Sequence, residues 1–154
     1  MTMIQDILKD YRLGEMAEKC DSLNSSATIA DFVKLARQKN MEVMPIVGED
    51  KKLVGIVTEK DLIKLMKVEG AASNYPIIER KLPAGILTEP ISSIMTEDPV
   101  TLKETDTMED ALNMVLNRDF RRIIIVDSEG RLVGKIRIVD IVYALSMREE
   151  KTGK

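Results

Sequence analysis

The chain has no histidine, no tryptophan, a single cysteine and only 3% aromatic residues. Without histidine, imidazole-based triads, zinc deaminase sites and His-gated pH switching near neutrality are excluded. Cys20 by itself can form neither an intrachain disulfide nor a thiolate-rich metal site. So few aromatic rings leave little platform for stacking single-stranded nucleic acid. A formal charge of -3 argues against a broad basic footprint and leaves room only for a local one. No apolar run is long enough to span a bilayer, and the N-terminus lacks the pattern of a signal peptide, so the expected address is the cytoplasm with no membrane partner. What is present is 44% hydrophobic and 32% charged residues over 154 positions, the balance of a folded chain. The length suits one domain or two small subdomains sharing a core.

A repeat organises the chain. An offset of 79 residues lays Arg12–Met66 over Ile91–Leu145 without gaps. Thr28-Ile29-Ala30-Asp31 then faces Thr107-Met108-Glu109-Asp110, Leu53-Val54-Gly55 faces Leu132-Val133-Gly134, and Asp61 faces Asp140. The period is too long for common solenoids and points to a duplicated unit with pseudo-twofold symmetry.

Both copies carry the same local signals. Thr28 and Thr107, each with Asp three residues on, predict capping boxes. Behind them, Ile29, Phe32, Val33 and Ala36, and Met108, Ala111, Leu112 and Val115, recur at helical spacing. Val43–Val47 and Ile123–Val126 predict strands, polar turns follow, and Leu53–Val57 and Leu132–Ile136 predict their hairpin partners. Closing helices follow, with apolar positions Leu62, Ile63, Leu65 and Met66, and Ile141, Val142, Ala144 and Leu145. Strands apolar at consecutive positions imply a sheet covered on both faces. A unit of this size is marginal alone, so the copies should pack together. The fold class is therefore α/β in the α+β sense: two repeats, each a small sheet with helices. The expected segments are a helical extension at 1–12, repeats at 13–66 and 91–147, a linker at 67–90 and a polar tail at 148–154. Within the linker, Tyr75-Pro76-Ile77-Ile78 could pack as a strand or cover, and Ile4–Leu13 should form a short helix.

In order and in duplicate, these segments resemble the tandem cystathionine-beta-synthase-type (CBS) domain pair, or Bateman module. The resemblance rests on Ile94-Met95-Thr96-Glu97-Asp98-Pro99-Val100-Thr101-Leu102, Arg122–Asp127 and Gly130–Gly134 in the second copy. In the first it rests on Met44-Pro45-Ile46-Val47 and Leu53–Asp61; the opening Glu15–Cys20 is atypical. It covers about Leu13 to Leu145 and implies a regulatory or sensing module, not an enzyme. Such a module binds an adenine nucleotide or adenosyl ligand (AMP, ADP, ATP or similar) in the cleft between repeats, and changes partner or dimer packing. No required cofactor or metal is implied.

Site residues follow from the motif. Thr58 and Asp61 stand at a strand-to-helix junction, where a hydroxyl and a carboxylate three residues apart either cap the helix or face a ribose and phosphate. The resemblance assigns Asp61 to ribose and Thr58 to ribose or phosphate. The second copy keeps Asp140 but has Arg137 where the family has Thr or Ser, so Arg137 either reaches a phosphate or fills the second site. By the same resemblance, Arg121, Arg122 and Arg137 make a cationic end for phosphate, with Lys60, Arg118 and Lys135 as weaker additions. Adenine walls would come from Met41, Met44 and Leu23 in the first copy and Phe120, Ile123 and Thr101 in the second; each residue serves equally well in a core. The family often pairs as a flat disc, which implies a homodimer and allows a protein target. The alternatives are a protein or nucleic-acid adaptor without a nucleotide ligand and, less favoured, a Mg-dependent nucleotide-processing enzyme.

Overall fold

In the computed structural model, which describes residues 8–41, 43–66, 85–118 and 122–152, the chain divides into two compact units. One comprises 21–49 and 53–99; the other comprises 1–20, 50–52 and 100–154. Each repeat's hairpin and helices therefore share a unit with the opening segment of the other repeat.

In the first-repeat unit, the short strand β1 (Leu23–Asn24) leads through a turn to helix α1 (Ile29–Lys39). The helix starts where the capping box predicts: the Thr28 N–H donates to Asp31 Oδ2 at 2.9 Å, and the Asp31 N–H donates to Thr28 Oγ1 at 3.2 Å. It ends at Asn40, whose φ of 52° is left-handed and whose N–H returns to the Ala36 carbonyl. Asparagine tolerates that conformation better than most residues. Strands β2 (Val43–Val47) and β3 (Leu53–Thr58) form the expected antiparallel hairpin, and β1 lies parallel to β2. Helix α2 (Glu59–Ile63) is short and tightens into a 3-10 turn at Lys64–Met66. Strand β4 (Thr96–Glu97), from the second repeat's opening segment, adds to β3 and completes the order β1-β2-β3-β4. Phe32, Met44, Ile46, Val57, Ile91 and Ile94 build its core.

The second-repeat unit repeats the plan. β5 (Thr101–Lys103) lies parallel to β6 (Arg122–Val126), and helix α3 (Met108–Arg118) stands between them in sequence. Thr107 and Asp110 form the second capping box, at 2.9 and 3.3 Å. β7 (Leu132–Arg137) pairs antiparallel with β6, and α4 (Ile138–Thr152) closes the chain. The core holds Leu13, Met108, Ile123, Ile125, Ile136 and Ile141. Four consecutive residues of β2 and four of β6 are buried, as a sheet covered on both faces requires.

The opening segments correct the ungapped offset. Ile29 and Ile91 donate to Glu89 and Ala27 in one unit, while Met108 and Leu13 donate to Tyr11 and Asp106 in the other. Leu13 is thus equivalent to Ile91, a spacing of 78 rather than 79. The extra residue of the second copy falls between β4 and β5, where Asp98 turns with φ 49°. The predicted Ile4–Leu13 helix also ends earlier: residues 8–10 are helical, Arg12 is extended and bridges Thr107, and Leu13–Glu15 is a 3-10 turn. Residues 4–7 and the proposed Tyr75–Ile78 cover lie outside the described residues.

The same correspondence explains one glycine in each hairpin. A Cβ on Gly55 would lie 2.7 Å from the Thr96 carbonyl oxygen, and one on Gly134 would collide with the Glu18 carbonyl oxygen. Thr96 and Glu18 are equivalent under the 78-residue spacing. Both glycines therefore admit the other repeat's opening segment against the second strand of the hairpin.

Candidate functional site

Thr58 ends β3, so its neighbour three residues on, Asp61, turns back over the first turn of α2. Asp61 Oδ2 accepts the Thr58 N–H at 2.7 Å and the Thr58 hydroxyl at 3.2 Å. Oδ1 accepts Lys64 Nζ at 2.8 Å. Asp61 is 5% exposed and is the one buried charged residue among those described. Its side chain is 7% exposed against 59% for Lys64, so the lysine reaches in from solvent to a carboxylate that is otherwise enclosed. Thr58 and Asp61 thus cap their helix as the spacing predicts, and the other carboxylate oxygen is held by a long, flexible side chain.

The second repeat solves the same electrostatic problem from the opposite side. The Arg137 N–H donates to Asp140 Oδ2 at 2.9 Å, its Nε to the same oxygen at 3.4 Å and Nη2 to Oδ1 at 3.2 Å. The hydrogen bond that Arg137 donates to Asp140, then the charges of Asp140 and Glu18, hold the guanidinium above its ordinary pKa. Asp140 has Tyr143 where Asp61 has Lys64. Among the described residues, each carboxylate therefore pairs with one cation, placed three residues after Asp61 but three residues before Asp140. Arg137 thus forks across both oxygens of Asp140.

The remaining expected residues divide between strand ends and cores. Arg122 is half-buried and lies directly across the ladder from Arg137, which puts these two basic residues side by side. Val43 holds the matching place opposite Thr58. Met41 and Met44 are buried in the first core with Leu23 packed against it, and Ile123 is buried in the second; Met44 is fully enclosed. Thr101 is half-buried on β5, opposite Ile124. Phe120 and Arg121 lie outside the described residues.

Each unit also has a groove between its closing helix and the opening segment packed against it. In the first-repeat unit it measures about 470 Å³ and is lined by Lys64, Leu65, Glu89, Ser93, Ile94 and Met95. In the second it measures about 430 Å³, with Tyr11, Glu15, Met16, Glu18, Asp140 and Tyr143 among its walls. The spacing rule makes these the same groove twice, but the second reaches its motif aspartate and the first stops at Lys64. Lys64 was missed in the sequence, although its place one turn after Asp61 was a readable signal. No group of three potential metal ligands occurs among the described residues. None of their helices is long and apolar enough to cross a membrane.

Two strand–helix–hairpin–helix repeats, each with a motif aspartate at the last strand-to-helix junction, define a tandem CBS pair. The chain belongs to the CBS domain family, which matches residues 8–68 and 91–147. It is 29% identical over 150 residues to the chloroplastic CBS domain-containing protein CBSX1 of Arabidopsis thaliana, covering 87% of this chain and 64% of that protein. It resembles the crystal structure of CBSX2 in complex with AMP (CBSX2 is also from Arabidopsis thaliana), with TM-score 0.69, 23% identity and coverage of 90% of this chain and 98% of that one. It also resembles MJ1225 of Methanocaldococcus jannaschii, described as a candidate archaeal homolog of g-AMPK, with TM-score 0.72, 26% identity and coverage of 89% and 50%. The chain spans a little under two thirds of the length of CBSX1, CBSX2 and a 17.7 kDa relative from Acidianus ambivalens.

Proposed function

We propose that the chain is a regulatory module that binds an adenine nucleotide or adenosyl compound through Thr58 and Asp61 of the first repeat. The observation that carries this reading is the state of Asp61: an enclosed carboxylate at the family's motif position, with one oxygen held, among the described residues, by an exposed lysine. A sugar hydroxyl can replace an ammonium there, whereas both oxygens of Asp140 are engaged by Arg137. The AMP in the CBSX2 structure and the g-AMPK relationship of MJ1225 support an adenine ligand. The chain itself acts by binding, without turnover of the nucleotide.

Copies of the chain are proposed to pair through α4, which exposes Val139, Val142, Tyr143 and Met147 along one stripe. Ligand binding would regulate through that pairing only by favouring one packing over another. The same stripe supports the second reading, a protein adaptor that needs no nucleotide.

Calorimetry with AMP, ADP, ATP, S-adenosylmethionine and NAD tests the proposal. One adenine compound should bind with about one site per chain, and Asp61→Ala should weaken it far more than Asp140→Ala. Loss through Asp140→Ala alone, or ATP hydrolysis abolished by Asp61→Asn, would replace this reading.

A further inference from the structure

We infer that Lys64 is a displaceable plug on the first site, setting both its affinity and its demand for a vicinal diol. This rests on the proposed role of Asp61 and concerns how that site admits its ligand. A carboxylate oxygen offers about two acceptor directions. Oδ2 of Asp61 has both filled, by the Thr58 N–H and hydroxyl. Among the described residues, Oδ1 has one filled by Lys64 and one left. A single sugar hydroxyl can use the remaining direction, but a diol that donates twice to this carboxylate needs the direction that Lys64 holds.

The two grooves support the same conclusion independently. In the second-repeat unit, where Tyr143 replaces Lys64, the groove extends to Asp140. In the first-repeat unit the equivalent groove includes Lys64 but does not reach Asp61. The lysine therefore closes the approach that its counterpart leaves open. Its side chain is 59% exposed, so the ammonium can swing away without disturbing the core.

The test compares AMP, adenosine and 2′-deoxy-AMP on the full chain and on Lys64→Met, by calorimetry. Lys64→Met should bind AMP and adenosine roughly three- to ten-fold more tightly, since a partly exposed charge-assisted bond no longer has to be broken. Binding of 2′-deoxy-AMP should stay within two-fold or weaken. Lys64→Gln, which retains a neutral donor, should fall between and serves if the methionine variant does not fold. Unchanged or weaker AMP binding in a folded variant, or an equal gain for the deoxy ligand, would overturn the plug while leaving the Asp61 site standing. No binding of any of the three compounds to the wild-type chain or to Lys64→Met would overturn the plug; binding of ADP, ATP, S-adenosylmethionine or NAD to the wild-type chain, lost in Asp61→Ala, would leave the site standing, and no binding of these either would overturn the site as well.

Discussion

Replacing Asp61 by alanine should destabilise the protein more than the same change at Asp140, and burial is the reason. At Asp61 the change removes the acceptor for the Thr58 N–H and hydroxyl, both part-buried, and the partner of Lys64. Losing a cap costs about 0.5–2 kcal/mol, and a buried donor left unsatisfied adds about 1–3 kcal/mol. These overlap because they describe the same atoms, so the expected loss is about 2–3 kcal/mol. At Asp140 the side chain is 18% exposed and its Arg137 partner 44%, so water can replace much of what is removed. About 1 kcal/mol is expected there, from the cap alone. For a chain of this length the melting temperature should fall by roughly 4–12 °C and 2–4 °C respectively. Urea unfolding followed by far-ultraviolet circular dichroism is the suitable assay, because the chain has no tryptophan. An equal or larger loss at Asp140, with unchanged denaturant dependence in both variants, would refute the burial argument.

Other perturbations test other links. Gly134→Ala should cost about 1–3 kcal/mol, since its Cβ meets a backbone carbonyl that cannot move without opening the Glu18–Lys135 pairing. Gly130→Ala has open space but φ 81°, so it should cost about 1 kcal/mol; a thermal-melt ranking with Gly130 as the worse variant contradicts the steric account. Asp127 is held below the usual carboxylate value of 3.8, first by the Arg131 N–H and then by those of Glu129 and Gly130. Because the folded value is depressed, its contribution is present above that usual value and is lost as pH falls through the lower one. Asp127→Asn should therefore flatten the acid limb of melting temperature against pH below about 4, and an unaltered limb would count against it. Val142→Glu should shift light-scattering mass from dimer to monomer; a wild-type chain that is monomeric at every concentration would remove the pairing proposal.

Much of the local structure was legible because it depends on neighbours in sequence. Thr28 with Asp31 and Thr107 with Asp110 make their capping bonds within one helical turn, so residue type and spacing were enough. The hairpins were legible for the same reason: two apolar runs separated by a short polar turn have one economical pairing. The motif residues Thr58 and Asp61, and the replacement of the first by Arg137, could also be named from the repeat. What an ungapped offset hid was the one-residue difference in the opening segments: the apolar pairs Leu13 with Ile91 and Met16 with Ile94 line up only when a one-residue gap is admitted, and backbone pairing across the unit fixes that register.

The amino-acid sequence by itself determined the duplicated helix–hairpin–helix plan, the family and the two motif aspartates, because each depends on short-range pattern or on repetition. Tertiary structure alone decided that each opening segment packs with the other repeat's hairpin, and hence why Gly55 and Gly134 must lack a Cβ. It also decided which cation each aspartate takes. Lys64 and Arg137 are both three residues from an aspartate, and spacing treats them alike. Only burial and direction distinguish a removable ammonium on one oxygen of Asp61 from a guanidinium fork across both oxygens of Asp140.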